Sequence, residues 1–154
     1  MSKKHVFQMA SVVMACALVF LMSNTSFAQK KFLERIRKHY QLGPGNGKCT
    51  LCHETKPEED PGRKNLNKFG KAIQADPDMK PLLGKDDEYP FTNKELDIVE
   101  KVVVKLEDQD SDGDGATNRE ELELGTLPGD PTSVPDKAKL EKYRKEHPAK
   151  TNKK

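Results

Sequence analysis

Apolar residues are concentrated at one end of this 154-residue chain, and few remain elsewhere. The first 28 residues contain 18 of the 52 apolar residues, which leaves 34 in the other 126, or about 27%. That share is low for a chain whose length predicts one domain with its own core. The sequence therefore excludes a soluble α/β enzyme built on a large apolar sheet. Either much of the chain is solvated, or a group other than side chains fills its centre.

The N-terminal segment has the composition of a secretory signal peptide. Two early lysines precede Val6–Met22, which is almost entirely apolar, and Ser26-Phe27-Ala28 has small residues at the positions before a cleavage site. We expect cleavage between Ala28 and Gln29, export to the periplasm or an equivalent compartment, and no stable membrane insertion afterwards. The alternative is a retained membrane anchor. No other apolar run approaches the length that spans a bilayer.

Charge in the mature chain is balanced in total but segregated along the sequence. Without the signal, 25 basic and 25 acidic residues remain, so a nucleic-acid partner is not expected. Residues 29–49 carry six basic and one acidic side chain, 131–154 carry eight and three, and 86–130 carry four and fifteen. So acidic a block repels itself or holds a cation. Of the three cysteines, Cys16 leaves with the signal, and the remaining two cannot form a disulfide framework.

Hydrophobic spacing predicts an all-α protein without strands. The longest helix begins with a capping box formed by Thr92 and Glu95. It contains three consecutive valines at 102–104, which indicate deep burial. Gly125 is expected to close a short helix after an acidic loop. The predicted helices are Lys30–Gln41, one marked by Leu66, Phe69 and Ile73, Asn93–Glu107, and the short one that ends at Leu124. Leu140 and Tyr143 also allow a helix in the lysine-rich tail, which is otherwise expected to be disordered.

A CxxCH motif, the attachment signature of a c-type haem, occupies Cys49-Thr50-Leu51-Cys52-His53. Two thiols three residues apart on one helical turn can add to the two vinyl groups of the porphyrin. His53 can then present its imidazole to the iron as the proximal ligand. A thioredoxin-like pair would need a βαβ pattern, and a zinc site would need two more ligands. One covalent haem c is therefore predicted, and it would also fill the centre of a chain poor in apolar side chains.

The order of elements around this motif resembles that of class I cytochromes c. A first helix, CxxCH, a short middle helix, Met79-Lys80-Pro81 and a capped helix follow one another over roughly Lys30 to Glu107. The whole chain also resembles small exported monohaem cytochromes of planctomycete-type bacteria, in which a calcium-loop-like acidic segment ends in Gly-Thr-x-Pro-Gly-Asp-Pro, here Gly125–Pro131. The resemblance implies a small class I cytochrome c-like helical fold around one haem.

The sixth ligand of the iron is open between several candidates. Met79 is the only methionine after cleavage, and the resemblance places it at the distal position, although it could simply fill a gap in the core. His39 lies near the apolar face of the first helix and is the alternative, while His147 in the lysine-rich tail is a weaker candidate. An open or water-bound iron would instead permit peroxidase-like catalysis or gas sensing.

The acidic loop from Asp110 to Glu121 fits the EF-hand calcium loop position by position, with Gly115 at the sharp turn in position 6. A register that starts at Asp108 would place Arg119 at position 12, and an arginine cannot ligate a cation. We expect Ca²⁺ to have a structural role here, although a solvated acidic turn is the alternative. The predicted ligands are Asp110, Asp112, Asp114, the backbone carbonyl of Ala116, Asn118 and the bidentate carboxylate of Glu121.

These features predict four parts of the chain and a first hypothesis for its function. The parts are a signal peptide (1–28), a cytochrome c-like haem domain (29–107), an EF-hand-like calcium segment (108–131) and a lysine-rich flexible tail (132–154). The hypothesis is a one-electron carrier, not an enzyme, that docks on redox partner proteins by transient electrostatic contact. The alternatives are an open-site haem enzyme or gas sensor, and the haem subunit of a larger redox complex.

Overall fold

The computed structural model describes residues 27–43, 47–54, 65–85 and 90–148. These residues form α-helices and short 3-10 turns and contain no strand, which confirms the predicted all-α class. Within the same ranges, no helix is long and apolar enough to cross a bilayer. The predicted signal run up to residue 26 with Cys16, and the end of the predicted tail (149–154), lie outside the described residues. The elements are α1 (Phe27–His39), a 3-10 turn (Cys49–Leu51), α2 (Lys68–Ala75), a second 3-10 turn (Pro77–Met79), α3 (Asn93–Leu106), α4 (Asn118–Leu124) and α5 (Lys137–Glu146).

Helix α3 is central to the fold, because it contacts α1, α2 and the Pro77–Met79 turn. Val102 and Val103 are fully buried in the core, but Val104 is 41% exposed. With 3.6 residues per turn, three consecutive side chains point in three different directions, so they cannot all face one core. The prediction of deep burial is therefore correct for the first two valines and wrong for the third.

The ends of the helices follow local capping rules. Thr92 Oγ1 accepts a hydrogen bond from the Glu95 N–H at 3.4 Å, and Glu95 Oε2 accepts one from the Thr92 N–H at 2.8 Å. The predicted capping box of α3 is thus confirmed. Helix α4 ends at Gly125, whose φ of 85° lies in the left-handed region that glycine adopts without a steric penalty.

A buried polar chain ties α1 to the beginning of α4. The Tyr40 hydroxyl donates to Glu107 Oε1 at 2.5 Å, and Arg119 Nη2 lies 2.8 Å from the other carboxylate oxygen. Burial raises the pKa of Tyr40, and its bond to Glu107 raises it further, so the hydroxyl remains a proton donor. The arrangement satisfies both oxygens of a carboxylate that is almost completely buried.

The lysine-rich tail contains helix α5, Lys137–Glu146, which includes both Leu140 and Tyr143. Arg144 donates to both carboxylate oxygens of Glu120, at 2.6 and 2.8 Å, and to the Gly115 carbonyl at 2.8 Å. None of the α5 side chains is buried. This bidentate ion pair, rather than an apolar face, therefore holds α5 against the acidic loop and α4.

Candidate functional site

The CxxCH turn, residues 49–53, lies between α1 and α2. The N–H groups of Cys52 and His53 both donate to the Cys49 carbonyl, at 3.2 and 3.0 Å. Both cysteines are free thiols and are partly buried. Leu51, between them, is completely buried. One tight turn of backbone therefore carries two thiols and one imidazole.

Burial keeps Cys52 and His53, two titratable groups of this turn, neutral. It raises the pKa of the Cys52 thiol to about 12, with a further contribution from Cys49. It lowers the pKa of His53, so the imidazole is neutral at pH 7. A neutral imidazole is the form that ligates a metal ion.

One ring nitrogen of His53, Nδ1, is buried without forming a hydrogen bond to any described residue. The backbone around it is held firmly, because His53 forms an isolated antiparallel bridge with Leu66 and Glu54 N–H donates to the Asn65 carbonyl at 2.8 Å. The imidazole is thus positioned by its backbone and not by a side-chain hydrogen bond.

Of the three candidates for the distal position, Met79 alone lies in the core. It is 4% exposed and belongs to the same buried cluster as Leu51, against which Cys52 packs. His39 is on the outside of α1, where its Nδ1 lies 2.9 Å from Glu100 Oε1. His147 is exposed and stacks on a tyrosine of α5. The fold therefore brings Met79, and neither histidine, to the cluster beside the CxxCH turn.

The acidic loop folds so that carboxylate oxygens from Asp110, Asp112 and Asp114 lie within 4.8 Å of one another. Backbone N–H groups orient them, because Gly113 and Gly115 donate to the two oxygens of Asp110 at 2.7 and 2.9 Å. Both glycines have positive φ, 85° and 96°, as the sharp turn requires. Three carboxylate oxygens this close together could hold a metal ion, and the spacing alone does not select calcium.

Glu121, on α4, is not one of the three clustered carboxylates, but it lies close enough to Asp112 and Asp114 for their charges to act on it. It is completely buried, and its Oε2 has no hydrogen-bond partner in the part of the chain that the structure describes, nor do the buried Oδ2 atoms of Asp112 and Asp114. Burial, reinforced by these two aspartates, raises the pKa of Glu121 to about 9. Burial also raises the pKa of Asp112. A buried carboxylate without a partner is unfavourable unless a bound cation or a proton neutralises its charge.

The other two predicted ligands, Ala116 and Asn118, are both buried but differ in their contacts. Ala116 is buried beside the cluster, and its N–H donates to Asp114 Oδ1 at 2.7 Å. Asn118 is fully buried, but its Oδ1 accepts from the Ser111 N–H at 3.2 Å and its Nδ2 donates to the Leu106 carbonyl at 2.7 Å. These two hydrogen bonds of Asn118 therefore hold the loop against the end of α3. Ligation at position 9 of such loops often proceeds through a water molecule.

Three residues that the sequence analysis did not single out contact these two sites. Lys68 Nζ donates to the Asp112 carbonyl at 2.7 Å, and Arg144 donates to the Gly115 carbonyl. Asn67 donates to two carbonyls of the CxxCH turn. An asparagine before a helix is a capping signal, which could have identified Asn67. No local pattern could have identified the two cations, because their partners are 44 and 29 residues away.

The donor atoms at the two sites differ in chemical character. Two thiols and a neutral imidazole suit a covalently attached haem iron, whereas clustered carboxylates suit a hard dication. Comparison of the chain with protein-family models, curated proteins and solved structures gives no match. The function is therefore inferred from the residues of this chain.

Proposed function

We propose that this protein is an extracytoplasmic monohaem c-type cytochrome, with a small class I cytochrome c-like fold, that carries single electrons. Haem c would be attached through Cys49 and Cys52, with His53 as the proximal ligand. The observation that supports this most is a turn that carries two free thiols beside the buried Nδ1 of His53, which has no hydrogen-bond partner among the described residues. Buried polar atoms are normally hydrogen-bonded, so this ring nitrogen is unusual.

When bound, the haem supplies an iron that alternates between Fe(II) and Fe(III). The chain's own residues determine where this happens. His53 would ligate the iron with its neutral imidazole, and the buried Met79 thioether would be the second ligand. The cluster that contains Leu51 and Met79 keeps water from this side of the site. A thioether ligand and apolar surroundings both favour the reduced iron and so raise the reduction potential.

The acidic loop binds one Ca²⁺ in the same proposal, and the ion has a structural role. The arrangement of three aspartates and the buried Glu121 supports this assignment. The loop also contacts the rest of the fold directly, because Asn118 donates to the last turn of α3. A cation that relieves repulsion within the loop would therefore stabilise residues 108–131 against the helices.

The contacts of His39 favour a carrier over the peroxidase-like alternative. Such an enzyme would need an acid–base group at the open iron position. His39 is the candidate histidine for that role. His39 instead pairs with Glu100 on the outside of α1. A carrier needs only transient partner contacts, which the segregated charge of the chain would steer in a salt-sensitive manner.

The proposal is tested by absorption spectra of the purified exported protein, oxidised and reduced, recorded with and without carbon monoxide. A six-coordinate carrier keeps its ferrous spectrum. A prompt spectral shift would show an open iron and would overturn the carrier assignment. The double variant Cys49→Ser/Cys52→Ser is the matched control for attachment. It should contain no covalent haem, and equal covalent haem in this variant would show that the attachment site is wrong.

A further inference from the structure

The Asn67 side chain forms hydrogen bonds with the backbone of the CxxCH turn. It is 3% exposed, and its Nδ2 donates to the carbonyls of Thr50 and Leu51, each at 3.1 Å. Its Oδ1 accepts from the Gly70 N–H at 2.8 Å, and its own N–H donates to the Cys52 carbonyl at 2.9 Å. One side chain therefore caps α2 and binds two of the carbonyls that shape the turn, with all of its amide atoms used.

The calcium segment (108–131) packs against this same asparagine. A Cβ added to Gly129 would lie 2.4 Å from both Cγ and Oδ1 of Asn67, so the Gly129 backbone is in direct contact with the amide. Gly129 does not have a positive φ, so this close approach, not backbone conformation, is what requires a glycine. The neighbouring Lys68 adds a second contact through its bond to the Asp112 carbonyl.

We propose that Asn67 is a positioning residue for the haem-attachment turn, and that the calcium segment holds it in place through Gly129. This inference rests on the proposed function. The amide orders the carbonyls at 50 and 51, and these set the direction in which the two thiols and the His53 imidazole leave the turn. Because Gly129 blocks any retreat of the amide, the calcium segment becomes part of the structure that presents the turn to the haem.

Asn67→Asp tests the first half of the proposal. Aspartate has the same shape and still caps α2 through Oδ1, but it cannot donate to the two carbonyls of the turn. Thr92→Ala is the matched control, since it removes the N-cap of α3 and leaves Asn67 untouched. Loss of one or two buried hydrogen bonds changes the population of a local geometry by about tenfold or more. We therefore expect less covalent haem per chain in Asn67→Asp, together with shifts in the ferric electron paramagnetic resonance g values and in the reduction potential.

Gly129→Ala tests the second half of the proposal, that the calcium segment holds Asn67 in place. The new methyl group must displace the Asn67 amide, so this variant should shift the g values and the potential in the same direction as Asn67→Asp. Gly43→Ala is the matched control, because a Cβ there meets no atom within 4 Å. If Asn67→Asp cannot be purified, Gly129→Ala decides the matter by the same measurements.

Several results would overturn the inference. Wild-type protein without covalent haem would overturn the proposed function and this inference with it. Wild-type protein with covalent haem, together with Asn67→Asp and Gly129→Ala variants whose spectra and potentials match those of Thr92→Ala and Gly43→Ala, would overturn this inference alone. Lowered melting temperature in all four variants with no spectral change would show that Asn67 supports the fold generally and does not orient the turn.

Discussion

Replacing Glu121 by glutamine should stabilise the calcium-free protein and abolish its stabilisation by calcium. Burial, with Asp112 and Asp114 close by, raises the pKa of Glu121 from its ordinary 4.5 to about 9. Without calcium, the folded protein therefore keeps a proton that the unfolded chain has released above pH 4.5. The contribution of Glu121 to stability is complete below pH 4.5 and is lost as the pH rises toward 9.

The size of the effect follows from the distance between the ordinary pKa and the working pH. Each pH unit above 4.5 lowers the free energy of unfolding by about 1.4 kcal/mol, which makes about 3 kcal/mol at pH 7. Glutamine has nearly the same shape but no charge to bury, so Glu121→Gln avoids this loss. Calcium at tenfold above its dissociation constant adds about 1.4 kcal/mol to the wild type. That gain corresponds to several degrees in melting temperature, and the variant should show little of it.

Denaturant unfolding of the haem protein, followed by circular dichroism, measures both effects. Titrations at about pH 5, 7 and 8, with chelator and with millimolar calcium, should show a steeper loss of wild-type stability with rising pH in chelator than in calcium. Glu123→Gln, on the same helix but exposed, is the matched control and should behave like the wild type. The reasoning is refuted if Glu121→Gln is less stable than the wild type in chelator at pH 7, or if calcium stabilises both proteins equally.

Three further predictions concern α1 and the core. Met79→Ala should remove the weak near-infrared sulfur-to-iron band of the ferric protein and lower its reduction potential, because a thioether favours Fe(II); a wild type without this band would contradict Met79 ligation. His39→Ala should leave the absorption spectrum unchanged and lower the free energy of unfolding by less than about 1 kcal/mol, because its contact with Glu100 is an exposed hydrogen bond; a carbon monoxide adduct in this variant would show that His39 is the ligand. Tyr40→Phe should lower the free energy of unfolding by about 1–3 kcal/mol, because Glu107 Oε1 loses its buried donor, and an unchanged denaturation midpoint would count against this contact.

The helices were largely predictable because their signals are local. The apolar spacing of α3 and its Thr92–Glu95 box are contiguous in sequence, and the structure contains both. Gly125 stops α4 for a reason that depends on one residue alone, its left-handed φ. Helix α5 was only partly predictable, because the contact that docks it joins Arg144 to Glu120 across 24 residues and no hydrophobic pattern encodes an ion pair.

The same distinction applies to the candidate sites. CxxCH and the acidic loop could be found in the sequence because each ligand set lies within a dozen residues. The contacts that surround each site could not be predicted in this way. The contacts of Lys68 with Asp112 and of Tyr40 with Glu107 join positions 44 and 67 residues apart, so they depend on how the helices pack. The second role of Asn67 could not be predicted either, because a cap explains one of its bonds and the fold supplies the others.

Covalent attachment of haem at Cys49 and Cys52 is the central claim, and the intact mass of the denatured exported protein tests it most directly. The protein is extracted with acidic organic solvent, which removes haem held only by ligation, and is then weighed. We predict a polypeptide that begins at Gln29 and retains the mass of one haem. A polypeptide without added mass, with the haem in the organic phase, would contradict the claim.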